Sequence, residues 1–431
     1  NEMLNMNMRR PLFLILLLLT TSVVPVKAHE GMWIPSLIKM FLGDMQADGL
    51  QLTAEDIYAV NKSSLKDAIV HFGGGCTSEI VSDQGLLLTN HHCGFSQIQS
   101  HSSLENDYLK NGFWAMNKSE ELTNPGLTAT FIVRIEDVTE RMMSALESAR
   151  NPEARVQHEL TDIATIEKEI ESKEPGHSVE VKPFFYGNQY FAIVTKTYND
   201  VRLVGAPPSS VGKYGGDTDN WLWPRHTGDF SVIRIYAGPD NEPAEISDSN
   251  VPYKPRHHFP VKLGGIKEGD FTMVYGFPGR TQQYLHSDAV KVVTDVLNPR
   301  AIELRGKALC IIDDAMASSD EIRIQYASKQ ARIANGWKKW IGENRGLDRL
   351  DAIQKKETME AEFARKANAN PELKKKYGSV LQTLEDLYPR GQKLMSARSM
   401  LIEFFYVGPE IIRHASAYEK LIENYEDLDE E

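Results

Sequence analysis

From about Ser64 to Gly279 short apolar runs alternate with turn residues. DAIVHF, CTSEIVS and GLLLTN have the length of strands, and SDQG (Ser82 to Gly85) supplies a turn between the last two. SVEVKPFFY and QYFAIVTKTYNDVRLVG flank Gly187-Asn188 and predict a hairpin. DFSVIRIYAG is apolar at Phe230, Val232, Ile233 and Ile235 and stops at the turn signal GPDN. FTMVYGFPG reads as a further buried strand with a Gly-Pro stop. Many short strands at close spacing predict a β-barrel or sandwich.

Two stretches have helical texture instead. DVTERMMSALESARNPEARVQHELTDIATIEKEIESKE is rich in helix formers and should decorate the sheet, its acidic face solvated. After about Thr281 the strand signals stop. Ile333, Trp337, Trp340 and Ile341 fall on one face of a helix, and Leu347, Leu350 and Ile353 continue at spacing three. NANPEL and YPRG punctuate further helices. This divides the chain into residues 29–283, mainly β, and a helical domain over 284–431. No internal repeat is evident.

The N-terminus changes the picture. Arg9 and Arg10 precede the apolar run PLFLILLLLTTSVVPV, and Val26-Lys27-Ala28 offers small residues for cleavage. Residues 1–28 therefore read as a secretory signal peptide, and the mature chain begins HEGMW. No later run is apolar enough to span a bilayer, so no stable membrane span is expected after signal cleavage. With 60 acidic against 48 basic residues the net charge is -12, which argues against nucleic acid as a partner. Export permits a disulfide. Three cysteines allow three pairings. Cys76 and Cys93 flank one hairpin-like stretch, so they are paired here and Cys310 is left free. The closing stretch YEKLIENYEDLDEE keeps helical spacing without a capping glycine, which suggests a truncated reading frame.

The candidate chemistry sits in LLLTNHHCGFSQIQSHS. His91, His92 and Cys93 invite three readings: a zinc site, a packed turn or a catalytic base. Zinc needs convergent ligands, and adjacent strand residues diverge. No CxxC or HExxH accompanies them. The third reading rests on likeness: a strand, a polar turn, then His-Cys resembles the arrangement around the base of chymotrypsin-like serine peptidases. There the cysteine after the base pairs with one a strand earlier, a role Cys76 fits. By this likeness His92 is the base and His91 is structural. Such a base needs a carboxylate to hold its tautomer. Asp217, Asp219 and Asp229 are the candidates. Asp229 precedes a strand, a rigid position, while Asp217 and Asp219 lie in a glycine-rich loop.

Two long stretches carry a closer resemblance. GGGCTSEIVSDQGLLLTNHHCGFSQIQSHSSLENDYLKNGFWA and DVRLVGAPPSSVGKYGGDTDNWLWPRHTGDFSVIRIYAG resemble the bacterial dipeptidyl-peptidase 7 and dipeptidyl-peptidase 11 family. The resemblance implies a chymotrypsin-like double β-barrel, incomplete in this chain, with a large inserted α-helical domain. It implies a homodimer, exported to the periplasm or surface of a Gram-negative bacterium, that removes dipeptides from the free N-terminus of oligopeptides. Carried over by motif, the base is His92 and its carboxylate Asp229. The substrate amine is held by Asn220 and Trp221 of DTDNW and by Asn335 of ARIANGW. No cofactor and no metal are implied.

One departure matters. The family's nucleophile is the serine of a Gly-Asn-Ser-Gly-Ser motif, which this chain lacks. Ser209 and Ser210 have no following glycine. The nucleophile, oxyanion hole and second barrel are therefore expected outside this chain, and the chain alone is expected to be inactive. The alternative is a non-catalytic protein that binds peptides by their free N-termini.

Overall fold

A computed structural model describes residues 32–147, 151–280 and 282–419. The expected signal peptide, residues 1–28, lies outside the described residues, as does the chain from 420 onward. The chain forms two units, residues 1–59 and 60–431. In the first, a 3-10 turn Pro35–Met40 leads into the helix Leu42–Ala47, with Trp33 stacked on Phe41 at 4.8 Å. A capping box between Thr53 and Asp56 starts the short helix Ala54–Ile57.

The second unit holds an antiparallel sheet and a helical region. Its strands are β1 (Ile69–Phe72), β2 (Cys76–Ile80), β3 (Leu86–Thr89), β4 (Phe113–Trp114), β5 (Leu122–Thr123), β6 (Ala129–Asp137), β7 (Ser178–Phe184), β8 (Gln189–Tyr198), β9 (Asp200–Ala206), β10 (Ser231–Ala237) and β11 (Val251–Pro252). Their order is β4-β9-β10-β3-β2-β1-β6-β8-β7, with β5 on β9 and β11 on β10.

This order dictates a roll. Five strands separate β8 from β9 in the sheet, yet only Asn199 separates them in the chain. Laid flat, six inter-strand steps cover about 29 Å. Three consecutive Cα atoms reach about 7 Å. The sheet must therefore curl until β8 and β9 meet. Side chains of alternate strand positions fill the inside, among them Phe72, Leu87, Leu203, Ile233 and Ile235, all fully or almost fully buried.

On β10 the inward set is Ser231, Ile233 and Ile235. Phe230 and Val232, which the sequence pattern grouped with Ile233 and Ile235, lie on the other side, and the register against β9 shifts between Val232 and Ile233. The β7–β8 hairpin forms, but its turn is longer than Gly187-Asn188. Phe185, Tyr186 and Gly187 all have positive φ, and Asn188 N–H closes the turn on Phe184 O. The helices Thr139–Glu147 and Pro152–Lys173 press Met142, Leu146, Ile166 and Ile170 onto Val181 and Ala192 of this hairpin, a second core.

FTMVYGFPG departs from expectation. It is not a strand, and Val274 is fully exposed. A strand needs a neighbouring strand for its backbone groups, and no strand among the described residues forms a ladder with this segment. Near its end Phe277 N–H donates to Thr77 Oγ1 at 2.8 Å, and the Phe277 ring stacks on His71.

From Ser287 the chain is helical. Ser319 alone separates Asn298–Ser318 from Asp320–Arg349, and the pair buries Leu309, Ile312 and Ile333. The expected stripe runs along one helix as far as Leu347, with Ile333 buried and Trp337, Trp340, Ile341 and Leu347 half-buried. The helix stops at Arg349, Asp351 turns left-handed at φ 48°, and Leu350 is exposed. NANPEL does separate two helices, with Asn370 capping Pro371–Tyr377. YPRG does not, because Pro389 is carried inside Val380–Leu401. No helix among the described residues is long and apolar enough to cross a membrane.

The rolled core and the exposed Val274 predict opposite sensitivities. Leu87→Ala should lower stability by about 3 kcal/mol through lost burial and a residual cavity. Val274→Ala should stay within about 0.5 kcal/mol. Urea midpoints of the two variants measure the contrast.

Candidate active site

β3 and β10 are antiparallel neighbours, with Thr89 opposite Ser231. The residues just after β3 therefore meet those just before β10, although Asn90 and Asp229 are 139 positions apart. After Thr89 the chain turns at Asn90 into the helix His91–Ser100. The sequence pattern did not predict this helix. Its inward residues are His91, Gly94 and Ile98, a spacing of three and four. Only one of them is a large apolar residue, so hydrophobicity alone hid it.

Successive residues in a helix point about 100° apart. His91 is therefore buried while His92 faces outward, its side chain 69% exposed. The His92 Nδ1 lies 2.8 Å from Asp229 Oδ2, and its backbone N–H donates to Asp229 Oδ1 at 3.0 Å. Asn90 Nδ2 donates to Asp229 Oδ2 at 3.2 Å instead of capping its own helix. Asp229 thus occupies the anion site at this helix N-terminus. Burial alone would push its carboxyl up. The His92 hydrogen bonds and charge outweigh burial and hold it below the usual aspartate value. Of the three candidate carboxylates, Asp229 is the one bonded to His92. Asp217 pairs with Lys213 at 3.2 Å, and the Asp219 carbonyl closes a turn on Leu222 and Trp223.

Cys93 joins Cys76 of β2 in a disulfide with Cα atoms 6.1 Å apart, and Cys310 is free. The bridge ties the first turn of the helix to the sheet on the side away from β10. Closing this 17-residue loop constrains the unfolded chain by about 3 kcal/mol. It also settles the chemistry of the Cys76, His92, Cys93 cluster. With both sulfurs oxidised, no thiolate remains and His92 is the single ligand left.

A second constellation forms beyond β9. The loop before β10 carries Asn220 and Trp221, and the helix Asp320–Arg349 carries Asn335, 115 positions from Asn220. Asn335 Oδ1 accepts from Asn220 Nδ2 at 3.0 Å and from Trp221 Nε1 at 2.8 Å. Lys338 Nζ reaches Thr218 O at 3.1 Å, and Gly342 lies against Trp221 O. Asn335, Lys338 and Gly342 are three and four apart, so one helix face meets the loop. Trp221 has φ 64°, a strained conformation for a large side chain. Arg225 Nη1 donates to Asn220 Oδ1 at 3.2 Å, which orients that amide. Asn90 and Arg225 were not singled out in the sequence. Asn90 had a legible signal, a capping residue directly before the histidines.

The two histidines have separate tasks. His91 packs its ring on Gly212, where an added Cβ would lie 2.3 Å from the imidazole. Burial lowers its pKa despite a hydrogen bond to Pro207. His92 is held at Nδ1 and open to solvent on its other side, the arrangement of a general base.

A histidine held at Nδ1 by a carboxylate, with its other ring nitrogen open to solvent, is chemically able to exchange a proton with a bound group. The chain matches the Peptidase S46 family model over residues 28–431 and belongs to that family. Relatives it matches are named as dipeptidyl-peptidases. It is 49% identical over 93% of its length to the Asp/Glu-specific dipeptidyl-peptidase of Capnocytophaga gingivalis, covering 56% of that protein. It is 45% identical over 89% of its length to the dipeptidyl-peptidase 7 of Phocaeicola vulgatus, covering 54% of that protein. The crystal structure of Porphyromonas endodontalis DPP11 with the dipeptide Arg-Glu aligns with TM-score 0.79 at 39% identity, covering 88% of this chain and 55% of that one. The chain spans about half the length of the curated relatives it matches.

Neutral His91 carries a pH signature. Its pKa is lowered in the folded state, so the unfolded chain binds the extra proton. The stability it contributes is whole above about pH 6.5 and erodes as pH falls towards the folded value. Between pH 7.5 and 5.5 the unfolding free energy of the parent chain should fall more steeply than that of His91→Gln. One proton sets the limit on the difference, about 1.4 kcal/mol per pH unit. Urea titrations across that range measure it.

Proposed function

We propose that this chain carries the base, its carboxylate and the amine anchor of an exported serine-type dipeptidyl-peptidase. His92 is the general base and Asp229 fixes its tautomer. Asn220, Trp221 and Asn335 receive the substrate's free N-terminus. The observation that carries the reading is the convergence of these three residues from segments 115 positions apart. A substrate ammonium donates three hydrogen bonds and needs oxygen acceptors, which amides supply. Asn335 Oδ1 already accepts two bonds, so the ammonium displaces one donor on entry.

The rolled sheet is read as the first barrel of a chymotrypsin-like fold, and the region after residue 283 as its helical insert. The strand-like pattern of residues 271–279, which lie outside the sheet with Val274 exposed, supports a second barrel completed by further chain. The serine nucleophile and oxyanion donors belong to that barrel, so this chain alone is proposed to bind peptides without hydrolysing them. The disulfide fits an oxidising compartment, consistent with export to the periplasm or cell surface.

Two measurements test this. Calorimetry with this chain should register Arg-Glu and not its N-acetylated form, and Asn335→Ala should weaken binding roughly 10- to 100-fold, the loss of a hydrogen bond to a charged group. Equal binding of the acetylated peptide would sink the amine anchor. In a longer protein that includes the serine, Asp229→Asn should lower kcat by about 10⁴ on a fluorogenic dipeptide. Turnover that persists in His92→Ala would remove His92 as the base.

A further inference from the structure

Between the two constellations lies one contact that neither uses. At the far end of the His91–Ser100 helix, the half-buried Gln99 turns its amide onto the backbone of the Asp320–Arg349 helix. Gln99 Nε2 donates to Gln325 O at 2.8 Å, and Ser328 N–H donates to Gln99 Oε1 at 2.7 Å. Both contacts are in the interior of the second helix, where backbone groups ordinarily bond one another. A side-chain amide entering that ladder is an uncommon arrangement, and it fixes register because the two bonds have defined directions. Beside it, Ala327 shares the buried core with Ile98.

The spacing gives the clamp its meaning. His92 is seven residues before Gln99 on one helix, and Asn335 is seven residues after Ser328 on the other. Each interval is about 10.5 Å of helix. His92 and Asn335 thus stand at the outer ends of two helical arms that Gln99 joins, each end also held by its own contacts. An exopeptidase that removes two residues needs that separation held closely, since a misplacement of about 1 Å is costly to catalysis.

We propose that Gln99 is a positioning residue that sets the distance from His92 to the Asn335 amine anchor, and so the length of the fragment measured. This rests on the function proposed above. Gln99 touches neither Asn335 nor Trp221, so it acts through the helix.

The test reads the Trp221 indole in the full chain, with no ligand needed. Labelling with ¹⁵N-tryptophan gives six indole signals, and Trp221→Phe assigns the one bonded to Asn335. In Gln99→Ala, hydrogen exchange at that indole should accelerate about tenfold, the loss of roughly one hydrogen bond. Gln99→Glu should do the same at neutral pH, because a carboxylate repels the Gln325 carbonyl. Ser328→Ala should leave exchange unchanged, because the clamp holds backbone and not side chain. Circular dichroism confirms that each variant is folded. Unchanged Trp221 exchange in folded Gln99→Ala overturns the proposal. Arg-Glu affinity separates it from the broader reading. If the parent chain binds no Arg-Glu yet Gln99→Ala frees the indole, the amine-anchor function fails and with it the role in fragment length, while Gln99 still positions the Trp221–Asn335 contact.

Discussion

The carboxylate of Asp229 is the constraint around which the site is arranged. It receives the His92 backbone N–H, the His92 ring and the Asn90 amide at once. It therefore starts a helix, holds an imidazole and joins two strands' ends in one contact. Each of these favours the anion, and together they overcome the cost of half-burying it. Remove the charge and the helix loses its cap while the ring loses its orientation. Local structure and proposed chemistry depend on the same oxygen atoms.

That contact exists because β10 is inserted between β9 and β3 and pairs with both. The short β8–β9 link then curls the whole sheet around its core. The buried Leu87, Ile233 and Ile235 stabilise this arrangement through apolar area removed from water. The disulfide then holds the helix start from the other side, on β2. Hydrophobic packing brings the ends together, and polar contacts determine how they meet.

Much of this was legible. Apolar runs marked β1, β2, β3 and β10, because strands buried on one side need those residues at those intervals. The failures have distinct causes. The His91–Ser100 helix buries a histidine and a glycine, residues that hydrophobicity does not count as core. FTMVYGFPG has a strand's pattern but joins no strand ladder among the described residues, and pattern cannot supply one. The stripe continued to Ile353 ran past a left-handed residue, Asp351, that ends the helix whatever the apolar spacing. Pro389 remained in its helix because the surrounding turns extend well to either side of it.

By itself the sequence determined which residues are chemically able to act: adjacent histidines, a cysteine for a bridge, aspartates before a strand and the DTDNW motif that carries the family likeness. Tertiary structure decided which of them meet. It turned His91 inward and His92 outward, selected Asp229 over Asp217 and Asp219, and brought Asn335 to Trp221 across more than a hundred residues. The reason is physical. Periodicity records what each position contributes to its own element, within a few residues. Which elements become neighbours follows from strand order, sheet curl and helix docking, and these are properties of the whole packed chain.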